Sequence, residues 1–427
     1  MPSSLATTLY LETAARATPL PPLSGERKTD VLVIGGGFTG LSTALHLAER
    51  GIEVVLLEAY EPGWGASGRN GGQVNPGLKH DPVRVERDFG AELAGRMLRF
   101  AGDAPDFVFS LVERLGIDCE LRRCGTLRAA RHPRHLEGIR ATLEQWQRRQ
   151  APVRFLDAAA TARATGTEVY QGAMLDPRGG AVNPLSYVRG LAAAAVDAGA
   201  AVHGSSRVLA LERTGTGTVW RARTASASVT SEHVVLATNG YTDGLWPKLR
   251  RSVVPVFGAI AATEPLPEAI ASEILPGGQV VYESGAITVY YRLDAQKRLL
   301  IGGRGPMQEI RTATEVPHIV RYARRLWPRL ADVSFTHGWG GRLGFTADQY
   351  PHVHEPAPGV LICLGFCGRG VALGSALGAA LAARISAPAQ EFPLPITAIK
   401  PIPFHGYWPI SVPAAILVGR AADALGL

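Results

Sequence analysis

Three glycines and one acid carry the most specific chemistry written in this chain. Gly35, Gly37 and Gly40 stand in a GxGxxG spacing, and Glu58 ends the apolar run that follows. Val31 to Ile34 is a β-branched apolar run stopping at Gly35. A helix with apolar periodicity, opened by Phe38 and Thr39, then runs to Arg50, and Gly51 stops it. Val54 to Leu57 is a second apolar run, leading into Glu58 and Ala59. Strand, tight turn, helix, parallel strand and closing acid in this order make a dinucleotide-binding unit. Gly35 permits the turn, Gly37 lets a pyrophosphate approach the backbone, and Gly40 lets the helix lie close on its strand. The helix N-terminus offers free N–H groups to phosphate, and Glu58 can accept from a ribose diol.

Three further clusters of small and polar residues follow. The stretch EPGWGASGRNGGQVNPG has six glycines in 17 residues, with Gly65, Ala66, Ser67, Arg69, Asn70, Gly71, Gly72 and Gln73 among them. Trp64 and the polar side chains mark it as an ordered loop whose backbone approaches a ligand rather than as a linker. The run HVVLATNGY reads as a buried strand emptying into Thr238, Asn239, Gly240 and Tyr241, the strand-end position where open α/β sheets place ligands. A second strand, Gly-rich turn and helix closes the series at GFCGRGV, with Gly368, Arg369, Gly370 and Val371 at the helix start.

The whole chain bounds what these clusters can serve. At 427 residues it exceeds one simple core, and 46% hydrophobic with 19% charged residues is an ordinary globular composition. The formal charge of +7 reads either as an ordinary basic surface or as attraction for an anionic substrate or cofactor. Basic blocks interleaved with aromatics are absent, which argues against nucleic acid. No run of 18 apolar residues suggests a transmembrane segment, and the first residues lack a signal-peptide pattern, so a cytoplasmic address is expected. Cys119, Cys124, Cys363 and Cys367 form no CxxC and have no zinc spacing, so reduced thiols and no metal site are expected.

Elements that must position the clusters are legible too. Residues 1–27 read as an irregular arm with Pro19, Pro21 and Pro22. Helical spacing covers 88–115 and 133–150, and Asn183-Pro184 opens a helix to Ala198. Strands are expected at 201–213, 219–224 and 234–237. Residues 253–303 read as strand-rich, with consecutive hairpins expected over 279–304 and turns near Ser284-Gly285 and Asp294-Ala295, and a helix is expected over 313–327. The fold class is α/β with α+β character. A Rossmann-like dinucleotide domain (28–110, 178–245 and 336–390) is interleaved with an antiparallel-sheet substrate domain (111–177 and 246–335). The tail, 391–427, is expected to be a helix docked on the body.

These four clusters, running from about residue 28 to 395, resemble those of flavoprotein amine and amino-acid oxidoreductases of the D-amino-acid oxidase type. The branch of γ-glutamylputrescine oxidases and pipecolate oxidase-like proteins looks closest. GWGASGRNGGQ together with GFCGRGV is the specific part of the likeness. The resemblance implies bound FAD, with Gly35, Gly37, Gly40 and Glu58 on its ADP half, residues 67–73 along the pyrophosphate and flavin, Val208 by the adenine, and residues 368–371 by the pyrimidine end of the ring. It implies hydride transfer from a C–H beside an amine nitrogen to flavin N5, with the imine then hydrolysed. Three departures qualify it. Sarcosine oxidase-like proteins attach FAD through a cysteine in the segment matching Arg342–Thr346, and none stands there, so non-covalent FAD is expected. Their lysine over the flavin has no counterpart in Leu299-Leu300-Ile301, which leaves dioxygen or another acceptor open. The carboxylate-binding arginine of glycine oxidase-like proteins falls at Leu343, which favours a larger amine over a simple amino acid.

Substrate-side candidates are Tyr290, Arg292, Trp339, Arg342 and Phe366, with Tyr241, Phe257, Tyr282 and Tyr291 as further aromatics. Tyr290 and Tyr291 must face opposite sides of their strand, and Arg292 shares the side of Tyr290. Among the histidines, His46 is expected to pack, His337 to be structural, and His352 and His354 to be exposed. An FAD-dependent amine or amino-acid oxidoreductase is the leading reading. An FAD-dependent 2-hydroxy-acid or polyol-phosphate dehydrogenase and a non-catalytic flavoprotein partner are the alternatives.

Overall fold

The computed structural model describes residues 8–215 and 217–425. Two eight-stranded sheets organise the chain. In the first, His352–Ala357, Val360–Leu364, Ala227–Leu236, Gly25–Ile34, Val54–Leu57 and Ala201–His203 lie side by side in that order. The run from Val360–Leu364 to Ala201–His203 is parallel, and the outermost strand, His352–Ala357, is antiparallel. Val31–Ile34 and Val54–Leu57 are buried at every position, as parallel strands with both faces covered must be. The hairpin of Ala210–Arg213 and Trp220–Arg223 adds to the edge of Ala227–Leu236.

Three helices cover one face of this sheet near its Gly-rich end. Phe38–Ala48 lies against Gly370–Ser386 and Pro184–Asp197. Small residues bring the first two within backbone reach. Ser42 Oγ donates to Ser375 O at 2.7 Å, and Thr43 Oγ1 to Gly378 O at 3.0 Å. A Cβ on Gly378 would lie 2.5 Å from Thr39 O. Asn183 caps Pro184–Asp197 by accepting from Ser186 N, with Pro184 at the first turn.

The second sheet runs Phe335–Phe345, Val254–Thr263, Leu299–Arg304, Tyr290–Leu293, Val280–Glu283, Thr126–Ala130, Gly172–Asp176, Arg154–Asp157. Its pairs are antiparallel except one. Val280–Glu283 runs parallel to Thr126–Ala130 because it is joined to that strand by distant chain rather than by a hairpin. The expected hairpins form, with Asp294 Oδ1 accepting from Gln296 N and Arg298 N to close the second turn.

Several expectations are corrected. Residues 1–7 of the expected arm lie outside the described residues. The rest is not irregular throughout: Leu9–Thr13 is a short helix, and the first strand starts at Gly25. The helix expected over 88–115 is two, Pro82–Phe89 and Ala91–Leu115, broken at Gly90 with φ +75°. The strand expected over 201–213 leaves the sheet after His203, because Ser205 and Ser206 donate their N–H groups to Tyr60 O and Glu58 O instead. Segment 336–345, grouped with the dinucleotide domain, pairs along Val254–Thr263 and so belongs to the second sheet. The boundary at 110/111 falls inside Ala91–Leu115. His354 is fully buried, its Nδ1 2.7 Å from Thr397 O, because the tail folds back over its strand. The tail itself ends in the helix Trp408–Leu425, which leaves Ile410, Leu417 and Val418 exposed.

Candidate active site

The turn after the first strand is built by close approach. Gly35 takes φ +112°, and a Cβ on Gly40 would lie 2.0 Å from Gly35 O, so only glycine lets the helix start there. Glu58 turns its carboxylate onto this turn. Oε2 accepts from Gly36 N at 2.6 Å and Oε1 from Tyr60 N at 3.0 Å. Burial pushes its pKa up, and the N–H groups of Gly36, Tyr60 and Ala59 oppose that. Ser67 Oγ accepts from Phe38 N at 3.1 Å, tying the second Gly-rich loop to the helix N-terminus. Asn70 folds that loop on itself: Nδ2 donates to Ala66 O and Ser67 O, and Oδ1 accepts from Gly72 N.

Two cavities follow from this arrangement, and Ala66 lines both. The first, about 980 Å³ with its open mouth included, is lined by Gly35, Gly37, Glu58, Ala59, Gly65, Ser67, Val208, Thr238 and Asn239. All were expected there; Tyr60 and Arg207 were not. The second, about 1010 Å³ on the same basis, lies between Arg69, Asn70, Gly71 and Gln73 on one side and the second sheet on the other, with Gly368, Arg369 and Val371 at the helix start. Asn239 Oδ1 accepts from Gly365 N at 2.9 Å, which joins the two strand-end turns. Phe38, Thr39, Gly40, Gly72, Gly240 and Gly370 line neither cavity. Phe38 packs against Tyr187 with its ring tilted, and Gly240 lies against the backbone of Arg342 to Gly344.

Of the five substrate-side candidates, only Tyr290 lines the second cavity. It is held from both sides. A Cβ on Gly71 would lie 2.6 Å from its ring and one on Gly302 2.4 Å. Burial pushes its phenol up, so it stays protonated at neutral pH. Arg292 does face the side of Tyr290, but Gly71-Gly72 crosses in front of it. Its guanidinium donates to Gly71 O at 2.7 Å and to Val182 O at 3.3 Å. Trp339 is fully buried, its Nε1 donating to Arg69 O and its ring edge-on to Tyr10. Arg342 lies over the rings of Tyr241 and Phe257, outside the cavity. Phe366 is buried beneath Gly370. Tyr291 turns away from the cavity toward Trp327, while Tyr282 lines it.

Arg304 and Lys79 were missed. Arg304 ends a strand read only for its apolar residues, and Lys79 follows the Gly-rich loop where nothing in the pattern marks it. Both line the second cavity, with Arg69, Arg369, Asn75 and Thr288. Four cations thus face it, and no Asp or Glu does. Arg369 donates to Pro76 O and Tyr282 Oη, both at 3.2 Å, and Arg304 lies over Phe345. Desolvation, then the charges of Arg369, Arg304 and Arg128, brings Lys79 down to about 8 although the residue as a whole is exposed. Desolvation also lowers Arg304.

A glycine cradle at a helix N-terminus, an acid beside it, and a channel leading to a cationic chamber define a dinucleotide-dependent oxidoreductase scaffold. Comparison with known proteins makes the class definite. The family model DAO, described as FAD dependent oxidoreductase, matches residues 30–384. The chain is 34% identical over 377 residues to a probable oxidoreductase OrdL of Rhizobium meliloti, covering 86% of this chain and 85% of the relative. It is 33% identical over 365 residues to the gamma-glutamylputrescine oxidoreductase of Escherichia coli, covering 85% and 84%. Glycine oxidase from Geobacillus kaustophilus has the same fold, with a TM-score of 0.73 at 23% identity over 88% of this chain and 99% of that one. The chain belongs to the DAO family of FAD-dependent oxidoreductases, and it is an enzyme of the amine and amino-acid oxidase type.

The residues present fit FAD. Buried Arg69 Nε has no hydrogen-bond partner among the described residues, and Arg69 lines the second cavity. The N-cap residues Gly37 and Arg369 put no side-chain cap on their helices, and each lines one of the two cavities, so N–H groups of those first turns other than that of Phe38, which Ser67 holds, are left for ligand oxygens.

Proposed function

We propose that this enzyme oxidises the CH–NH bond of an amine that also carries a carboxylate, using non-covalently held FAD. The observation that carries the reading is the chamber itself, where Arg304, Arg369 and Lys79 face inward without a facing carboxylate. A substrate ammonium has no anion there to hold it charged, while a carboxylate has three donors. Bound FAD supplies the acceptor for the hydride leaving the carbon beside the nitrogen. Tyr290, wedged between Gly71 and Gly302, shapes the wall against which that carbon rests. Arg304 and Arg369 orient the carboxylate end, and the surrounding cations favour the neutral amine that oxidation requires. The gamma-glutamylputrescine oxidoreductase relative supports a glutamyl-conjugated amine, and the roomy chamber also suits a cyclic imino acid. Segment 342–346 has no cysteine, and burial pushes the Cys367 thiol up, which supports non-covalent FAD. Lys79 enters the chamber from a segment other than the strand Leu299–Arg304, so dioxygen stays an acceptor to be tested beside artificial ones. The four unpaired thiols suit a cytoplasmic address.

The test is anaerobic flavin bleaching by a panel of glutamyl-conjugated diamines, cyclic imino acids, their carboxamides and 2-hydroxy acids. Carboxylated amines should bleach the flavin, and amidation of the carboxylate should cost at least tenfold in apparent affinity. Bleaching by a 2-hydroxy acid and by no amine would overturn the proposal.

A further inference from the structure

We infer that the C-terminal helix is a working part of the substrate chamber, with Asp423 and Arg420 as its positioning residues. This rests on the reading of the cationic chamber as the substrate site. The turn 284–289 links Val280–Glu283 to Tyr290–Leu293, and the chamber residues Tyr282, Thr288 and Tyr290 flank or lie within it. Two of its amides are held by one distant side chain. Ala286 N donates to Asp423 Oδ1 at 2.7 Å and Ile287 N to Asp423 Oδ2 at 2.8 Å. Asp423 is itself buried. Small residues on both partners allow the contact: a Cβ on Gly285 would lie 2.7 Å from Asp423 Oδ1, and one on Gly419 3.0 Å from Ile287. One turn earlier on the helix, Arg420 donates to Arg304 O at 3.0 Å, beside the ring nitrogen of His318 at 3.2 Å. Arg304 is the last residue of its strand, so these contacts set where its guanidinium enters the chamber.

Charge makes the tie specific. A cavity of about 1290 Å³, lined by Arg131, His132, His135, Arg304, His318, Arg325 and Arg420, lies alongside, and Glu283 and Asp423 are its two acids. Glu283 is already engaged, accepting from Tyr170 Oη at 2.7 Å and Tyr322 Oη at 2.5 Å. Asp423 is therefore the carboxylate left to the turn. Without it, two backbone donors lose their acceptor, and Thr288 and Tyr290 lose the anchor of the turn that feeds them. The hydrogen bonds of Asp423 and Arg420 fall on the second sheet and its 284–289 turn, so the effect should stay in the chamber.

The test uses the FAD-loaded full chain, with acetate as the probe. Acetate cannot be oxidised, and its binding is read from perturbation of the visible flavin band. Asp423→Asn keeps the size but turns an NH₂ toward one of the two amides. The expected result is at least a fivefold weaker acetate affinity, faster amide exchange over 284–290, and unchanged FAD content and unliganded flavin spectrum. Arg420→Met, which leaves Asp423 in place, should weaken acetate about threefold and serves if Asp423→Asn does not fold. Unchanged acetate affinity in a variant whose wild type binds acetate would overturn the inference. If the wild type shows no acetate perturbation, the cationic-chamber reading falls by itself, and the exchange experiment still decides the tie: unaltered protection of 284–290 overturns it.

Discussion

Lys79 is the cation in the chamber whose charge changes near working pH. Its folded pKa of about 8 lies below the ordinary lysine value, because it is desolvated and faces Arg369, Arg304 and Arg128. Below pH 8 it is charged and adds to the pull on a carboxylate; as pH rises through 8 the charge goes, while the arginines keep theirs. Acetate should therefore bind several-fold more weakly at pH 9 than at pH 7, and Lys79→Met should flatten that dependence. Titration of the flavin band at fixed ionic strength measures it, and an unaltered slope in the variant would remove Lys79 from the site. At this scale the sequence places residues well where a position is set locally. Gly35, Gly37, Glu58 and Ser67 line the channel as their motif spacing implies. It places them less well where depth decides. Strand alternation put Arg292 on the side of Tyr290, and it is there, but the Gly71-Gly72 backbone covers it. Parity along a strand says which way a side chain points and not what lies in front of it.

Among the elements, the approach of the helix Phe38–Ala48 to the strand end at Gly35 is a demanding contact. Gly40→Ala would place a methyl 2.0 Å from Gly35 O, and backbone cannot yield as a side chain can. Overpacking of this kind costs about 1–3 kcal/mol, and lifting the helix also moves its N-terminus from the phosphate position. Thermal unfolding and the FAD-to-protein ratio should both fall; a variant that stays yellow and equally stable would refute the close-approach argument. The helix itself was plain from its period and from Gly51. The split at Gly90 and the exit of the chain from the sheet after His203 were not, because both depend on partners far along the chain. Ser205 and Ser206 give their amides to Tyr60 and Glu58, which no local pattern announces.

Across the whole molecule, Tyr10 links what the two sheets contribute. It is 1% exposed, its hydroxyl donates to Asn70 O at 2.9 Å, and its ring meets Trp339 edge-on with centroids 5.2 Å apart. Trp339 belongs to the second sheet and Asn70 to the loop of the channel. Tyr10→Ala should cost about 3–5 kcal/mol, as for other buried aromatics, and should speed FAD release; Tyr10→Phe should cost only about 1 kcal/mol, the hydrogen bond. Denaturant unfolding of both variants checks this, and equal stability of Tyr10→Ala and wild type would show the arm to be dispensable.

The amino-acid sequence by itself determined the dinucleotide turn, its acid, the alternation of the two sheet types and the cofactor class. Each of these is encoded by neighbours within a few tens of residues, where glycine placement and apolar period act directly on the backbone. Only the tertiary structure decided which cations line the second cavity, that Leu9 and Tyr10 of the N-terminal arm are core, and that the last helix is tied to the turn 284–289. Those are properties of packing between segments hundreds of residues apart, and burial, not spacing, gives them their chemistry.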